Sequence, residues 1–206
     1  VKYEMDRIAR ERGAAGLPVS IAIPAMTFGE HDRGPTTGRL IVDIANQALP
    51  AYIRGRRNVI YAGDAGRGIA LVLERGKPGE RYLLTNRDIE MSELVQLIAR
   101  VAQVKPPRSV IPLPIARLIS LVQETRYRLF GGALPVLSST AISVVASGQF
   151  LDGSKARREL GFESEVSLEE AVQRALRWFR EVGYVKGEPK SRSVQAAGDH
   201  AKVTRI

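Results

Sequence analysis

The sequence predicts an α/β fold: the closing strands of a doubly wound parallel sheet, followed by a smaller, mainly helical region. Three observations lead there. Short apolar runs rich in β-branched residues alternate with helical periods as far as Val101, the pattern of strands joined by helical crossovers. Only two of those runs read as fully buried strands, too few for a complete sheet, so its first half is expected elsewhere. Beyond Lys105-Pro106-Pro107 the pattern turns almost wholly helical.

Taken in order, residues 1–15 are helical in pattern, with Tyr3, Met5, Ile8 and Ala9 spaced to share a face. The chain opens on Val1 already in that pattern, and an upstream part is expected before it. Gly13 and Gly16 stop the helix. Leu17 to Ile23, closed by Pro24, reads as a buried strand. Met26–Pro35 reads as a loop, after which Thr36 or Thr37 can cap a helix running to about Leu49. Short extended segments follow at Ala51–Ile53 and Asn58–Ala62. Asp64 can cap a helix that ends at Gly76 and Pro78. Arg81–Leu84 is the next strand, and a helix from Ser92 to Val101 turns Leu94, Val95, Leu97 and Ile98 inward. Further helices are expected near 114–130, 138–147, 153–160 and 167–182, the last opened by the capping-box pair Ser167 and Glu170. From Gly187 the composition is polar and small, and a disordered tail is expected.

Composition narrows the function. The 206 residues are 44% hydrophobic and 26% charged, ordinary for a globular protein. Without cysteine there are no disulfides or thiolate metal sites, and a cytoplasmic, reducing setting fits. Two histidines, His31 and His200, are too few to predict a metal site. No apolar run approaches the ~20 residues of a membrane span. The net charge of +9 is dispersed, Arg54, Arg56 and Arg57 forming its one tight cluster. Aromatic residues do not interleave with the basic ones, so no nucleic-acid partner is expected. A phosphorylated small substrate is compatible with the same charge.

Five stretches together resemble the extended short-chain dehydrogenases/reductases, the NAD-dependent epimerase/dehydratase family. The likeness is to the branch of hopanoid-associated sugar epimerases and dihydroflavonol reductases. Val1-Lys2-Tyr3-Glu4 is similar to the end of the Tyr-x-x-x-Lys motif and the helix after it. Ile23-Pro24-Ala25-Met26-Thr27-Phe28-Gly29, with Asp32 following, resembles the family's strand-end segment. Gly34-Pro35-Thr36-Thr37-Gly38-Arg39-Leu40-Ile41-Val42-Asp43, then Leu49-Pro50-Ala51-Tyr52, marks the branch. Lys77 to Leu84 is similar to its last sheet strand. Asp152 to Phe162, with Trp178-Phe179 and Gly183-Tyr184, is similar to its C-terminal end. The likeness spans residues 1–186.

The resemblance implies the C-terminal part of a Rossmann-type sheet plus a smaller, mainly helical substrate-binding domain. Residues 1–24 would hold the catalytic-lysine helix and a sheet strand, and 25–62 a substrate-domain segment. Residues 63–86 would return to the sheet, 87–186 would form the substrate-binding region, and 187–206 the tail. The cofactor implied is NAD or NADP, and the substrate a small molecule of the nucleotide-sugar kind. The reaction implied is hydride transfer at a secondary alcohol or ketone carbon, by an epimerase or by a ketone reductase. The family's glycine loop, catalytic Ser or Thr, and catalytic Tyr are not among these residues, and the isolated chain is expected to be inactive. Ala62-Gly63-Asp64-Ala65-Gly66 departs from the family's usual Val-Asp-Asp-Val-Ala, which leaves a non-catalytic scaffold relative as an alternative. A homodimer through the Lys2 helix is compatible with the likeness.

Residue by residue, Lys2 would be catalytic: its ammonium would lower the pKa of a tyrosine one helical turn earlier and meet the nicotinamide ribose. The plain alternative is a solvated lysine. Pro24, Ala25, Met26 and Thr27, at a strand's carboxyl end, would face the nicotinamide. Phe28, His31, Thr36, Arg39 and Arg57 would face substrate. Read alone, His31 is an ordinary loop histidine and Arg39 a weak phosphate candidate. Arg57-Asn58-Val59-Ile60-Tyr61 is similar to the Arg-Asp-Phe-Ile-His stretch of nucleotide-sugar epimerases, whose arginine clamps a diphosphate, and an arginine fork suits phosphate. Gly63, Gly66 and Gly68 have the wrong spacing for a dinucleotide loop. Asp64 reads as a helix cap, and Trp178 and Phe179 as core.

Overall fold

In the computed structural model, residues 2–132 and 139–186 are described. The expected tail after Gly187 lies outside them. Helix α1 (Lys2–Ala14) leads to strand β1 (Ile21–Pro24) and strand β2 (Met26–Phe28). Helix α2 (Arg39–Ala45) and strands β3 (Ala51–Tyr52) and β4 (Arg56–Tyr61) follow, then helix α3 (Ala62–Arg75) and strands β5 (Arg81–Leu84) and β6 (Arg87–Glu90). Helix α4 (Met91–Ala102), strand β7 (Ser109–Val110) and helices α5 (Leu113–Phe130), α6 (Ser139–Ser147), α7 (Ser154–Leu160) and α8 (Leu168–Glu181) complete the described chain.

The alternation does give parallel pairing. β1 pairs with β5 in the register Ile21↔Arg81, and β3 pairs with β7. β2 pairs parallel with β4, Met26 opposite Val59, and β6 adds to the far edge of β4 in the antiparallel sense. Two hydrophobic cores result. The first lies between β2–β4–β6 and helices α2, α4 and α8, and includes Phe28, Ile41, Val59, Leu94 and Phe179. The second lies between β1–β5 and helices α3 and α7, and includes Tyr82, Leu84, Leu160 and Phe162. Strand β4 serves both, since successive side chains point to opposite faces: Val59 enters the first core and Ile60 the second.

Several expectations need correction. Met26–Phe28 is a strand rather than the start of a loop, because the edge of β4 gives its backbone partners that the sequence alone does not reveal. α2 begins at Arg39 with Gly38 in the cap position and no side-chain cap, and it stops at Ala45, short of Leu49. β1 excludes Leu17–Ser20 and takes in Pro24. Strands β6 and β7 stand where no strand was expected, each pairing with a distant segment. Tyr3, Met5 and Ile8, spaced along α1 to share a face, are exposed, Tyr3 by 80%. The capping box of α8 is half formed: Ser167 Oγ accepts the Glu170 N–H at 3.2 Å, whereas the Glu170 carboxylate pairs with Arg174.

Candidate active site

Strands β1 and β2 belong to different sheets and are separated by a single residue. β1 ends at Pro24, β2 begins at Met26, and Ala25 between them donates its N–H to the Leu84 carbonyl at 2.9 Å. The Ala25 side chain is buried in the second core while Pro24 is exposed. Thr27 Oγ1 donates to the Ala25 carbonyl at 3.0 Å, and the Thr27 carbonyl accepts from Thr37 Oγ1 at 2.8 Å. Pro24–Thr27 is therefore a braced step at the carboxyl end of a parallel strand, where neighbouring strands part. Open α/β sheets bind ligands at such places.

Helix α1 packs along the β1–β5 strand pair. A Cβ on Gly13 would lie 2.5 Å from the Gly79 Cα, so the last turn of the helix presses on the backbone that leads into β5. Asp6, two turns earlier, meets Arg81 at 3.4 Å. The helix thus runs antiparallel to β1 and β5, and its first residue, Lys2, stands toward the end of the pair that carries Pro24. Beside it run two grooves, of about 400 Å³ against Pro78–Glu80 and about 520 Å³ along Ile23, Arg81, Leu83 and Lys155. They lie on the α1 face of the strand pair, the opposite face (Ala22, Tyr82, Leu84) being sealed in the second core. Neither groove is lined by Pro24–Thr27.

The five residues expected to face substrate are not gathered at one point. Phe28 is 1% exposed, and its ring packs in the first core. His31 is exposed in the loop after β2 at a φ of 67°, with its ring edge-on to Trp178 at 6.0 Å. That loop is held by Tyr184, whose hydroxyl donates to the Arg33 carbonyl at 2.5 Å. Thr36 is exposed, and it is Thr37 that ties the loop to β2. Arg39 pairs with Asp43 at 2.8 Å along α2. Arg57 is buried in β4, and its Nη1 donates to the Arg56 carbonyl at 2.8 Å. Burial lowers its pKa, and it forms no ion pair among the described residues. It precedes Val59, the partner of Met26, by two residues. Arg57 therefore stands at the Pro24 end of the sheet, about 13 Å of strand away from Tyr61, the partner of Phe28.

Two clusters were not evident in the sequence. Asp64 is the third residue of α3, not its cap, and is 3% exposed. Its carboxylate accepts from Ser164 Oγ at 2.5 Å, the Glu165 and Val166 N–H groups at 2.9 and 3.0 Å, and Arg67 at 2.9 Å. Burial raises its pKa, but these donors together outweigh burial and hold it below the usual aspartate value. Ser164, Glu165 and Val166 lie about a hundred residues away, so no local pattern announces them, and only Arg67, one turn along α3, is a near neighbour in sequence. At the end of β4, Arg174 of α8 stacks over the Tyr61 ring at 4.9 Å and donates to its hydroxyl at 3.1 Å. Glu170, one turn before Arg174 on α8 and read from the sequence as a capping-box residue, pairs with Arg174 instead. The glycines of α3 serve packing: a Cβ on Gly68 would come within 2.8 Å of Leu84, and one on Gly63 within 2.4 Å of the Tyr61 ring.

Among known proteins, the chain is similar to a nucleoside-diphosphate-sugar epimerase from Pseudomonas aeruginosa of known structure. The two are 43% identical, with a TM-score of 0.76, over 90% of this chain and 55% of that one. It is 28% identical over 190 residues to a putative dihydroflavonol 4-reductase from Synechocystis, covering 90% of this chain and 55% of the relative. A dTDP-glucose 4,6-dehydratase from Streptomyces venezuelae, solved with NAD bound, shares the fold at 23% identity and a TM-score of 0.61, over 85% and 48% of the two chains. No family model matches the chain. It spans about half the length of the curated relatives it matches.

Proposed function

Since the chain belongs to the NAD-dependent epimerase/dehydratase family of extended short-chain dehydrogenases/reductases, we propose that it supplies the catalytic-lysine helix and the nicotinamide-side edge of an NAD(P)-dependent enzyme acting on a nucleotide sugar. The observation that supports this is the antiparallel course of α1 along β1 and β5, by which the helix begins toward the end of the strand pair that carries Pro24. The cofactor, when bound, takes or returns a hydride at a secondary alcohol or ketone carbon. The residues present suit only its nicotinamide end: an exposed strand terminus at Pro24, braced by Ala25 and Thr27, with no glycine loop to receive the pyrophosphate. The Lys2 ammonium would favour the phenolate of a tyrosine one helical turn earlier in the longer protein, and that tyrosine would move the proton. Arg57, at the Pro24 end of β4, would offer its fork to a diphosphate.

Similarity to a dihydroflavonol reductase favours a second reading, release of a reduced ketone rather than return of the hydride to the opposite face. Both readings require Lys2. In the full-length enzyme, Lys2→Ala is expected to cut turnover and to move the activity profile to higher pH, because the tyrosine pKa returns toward ~10. Cofactor binding should weaken as the ribose contact is lost. Wild-type turnover with an unchanged pH profile would overturn the assignment of Lys2. Product analysis, an epimer against a net-reduced alcohol with NAD(P)H consumed, separates the two readings.

A further inference from the structure

Helix α5 turns its apolar side outward. At 100° per residue, Leu121, Leu118, Leu129, Val122 and Ile115 fall within an arc of about 120°. All five are exposed, Leu118 by 61% and Leu129 by 70%. The inward side is small or polar instead: Ala116 and Ser120 are buried, and Glu124 accepts the Ser139 N–H at the start of α6. Arginines border the apolar arc, Arg117 and Arg128 on one edge and Arg126 on the other. All three are exposed, and none has a salt-bridge partner among the described residues. At the N-terminal end of α5 lies a separate groove of about 460 Å³, lined by Ile53, Val110, Ile111 and Leu113 with Arg54.

We propose that this face of α5 docks on an anionic lipid bilayer as a peripheral interfacial helix. Apolar side chains with arginines along both borders match that site: the apolar arc enters the acyl boundary while the guanidinium groups reach the headgroup phosphates. No helix among the described residues is long and apolar enough to cross a membrane, so the contact is lateral. A second copy of the chain fits less well. Pairing two such faces would bring Arg117, Arg126 and Arg128 against the same arginines, with Glu124 turned to the protein side. Anionic lipid reverses that repulsion.

Co-sedimentation of the 206-residue chain with vesicles tests the proposal. The chain should pellet with phosphatidylglycerol–phosphatidylcholine vesicles, pellet much less with phosphatidylcholine alone, and be released by salt. The double variant Leu118→Glu/Val122→Glu should abolish pelleting. Arg117→Ala, Arg126→Ala and Arg128→Ala should each weaken partitioning about fivefold. All these side chains are exposed, so far-UV circular dichroism and the urea midpoint should stay near those of the parent. Leu121→Trp gives an independent reading: its emission, against the parent's background, should shift to the blue with anionic vesicles only. Equal pelleting with both vesicle types, or binding retained by Leu118→Glu/Val122→Glu, would overturn the proposal. So would an absence of vesicle binding with a concentration-dependent dimer lost in that variant, which would make the face a contact between copies.

Discussion

Asp64 shows how much one buried carboxylate can organise. From the first turn of α3 it fixes the segment between α7 and α8 through two backbone N–H groups, a hydroxyl and Arg67. Asp64→Ala would leave those part-buried donors without their acceptor, and a loss of about 1–3 kcal/mol is expected, read as a lower urea midpoint with an unchanged slope. The folded-state pKa of Asp64 is depressed, so its contribution is fully present above the unfolded value of ~3.9 and is lost as pH falls toward and through the lower folded value. Wild type should therefore lose stability below about pH 4 faster than Asp64→Ala does. Parallel acid profiles for the two proteins would show that the carboxylate charge is not what holds the segment. Arg57 differs in kind: burial lowers its pKa, and among the described residues no carboxylate pairs with it.

Among the elements, α1 is the most loosely held, with most of its side chains exposed and its last turn resting on Gly79. Gly13→Ala would drive a Cβ into the Gly79 backbone, where no flexible side chain can yield. Faster amide hydrogen exchange throughout α1 is expected, with exchange in α4 and α8 unchanged; unchanged exchange in α1 would show that other contacts hold the helix. The elements legible in the sequence were those whose evidence is local. α4 and α8 carry helical apolar periods that coincide with their buried faces, and β5 stands at the residues expected of it. Those missed depend on distant partners: β2 needs β4, β6 needs β4, and β7 needs β3. The same division applies to the site. Pro24–Thr27 was readable as a strand end, whereas the pairing of Arg174 with Tyr61 joins residues 113 apart in sequence.

At the scale of the whole molecule, the two cores touch different parts of the proposed chemistry, β1–β5 beside the cofactor edge and β2–β4–β6 beneath the loop of His31. No glycine loop for a pyrophosphate occurs in the sequence, so calorimetric titration of the 206-residue chain with NAD or NADP is expected to show weak binding or none. Micromolar affinity would mean that some other surface receives the pyrophosphate. The parallel pairing of β1 with β5 also bears on biosynthesis. Ile21 must wait for Arg81, sixty residues on, before its ladder can close. At ribosomal speeds of about 5–20 residues per second, β1 emerges roughly 3–12 s ahead of its partner. During that interval its unsatisfied main chain can zip onto another nascent or unfolded chain. Crowded polysomes and slow translation would both lower the yield of correctly folded chains, and a holding chaperone would raise it, with no change in the stability of the finished protein.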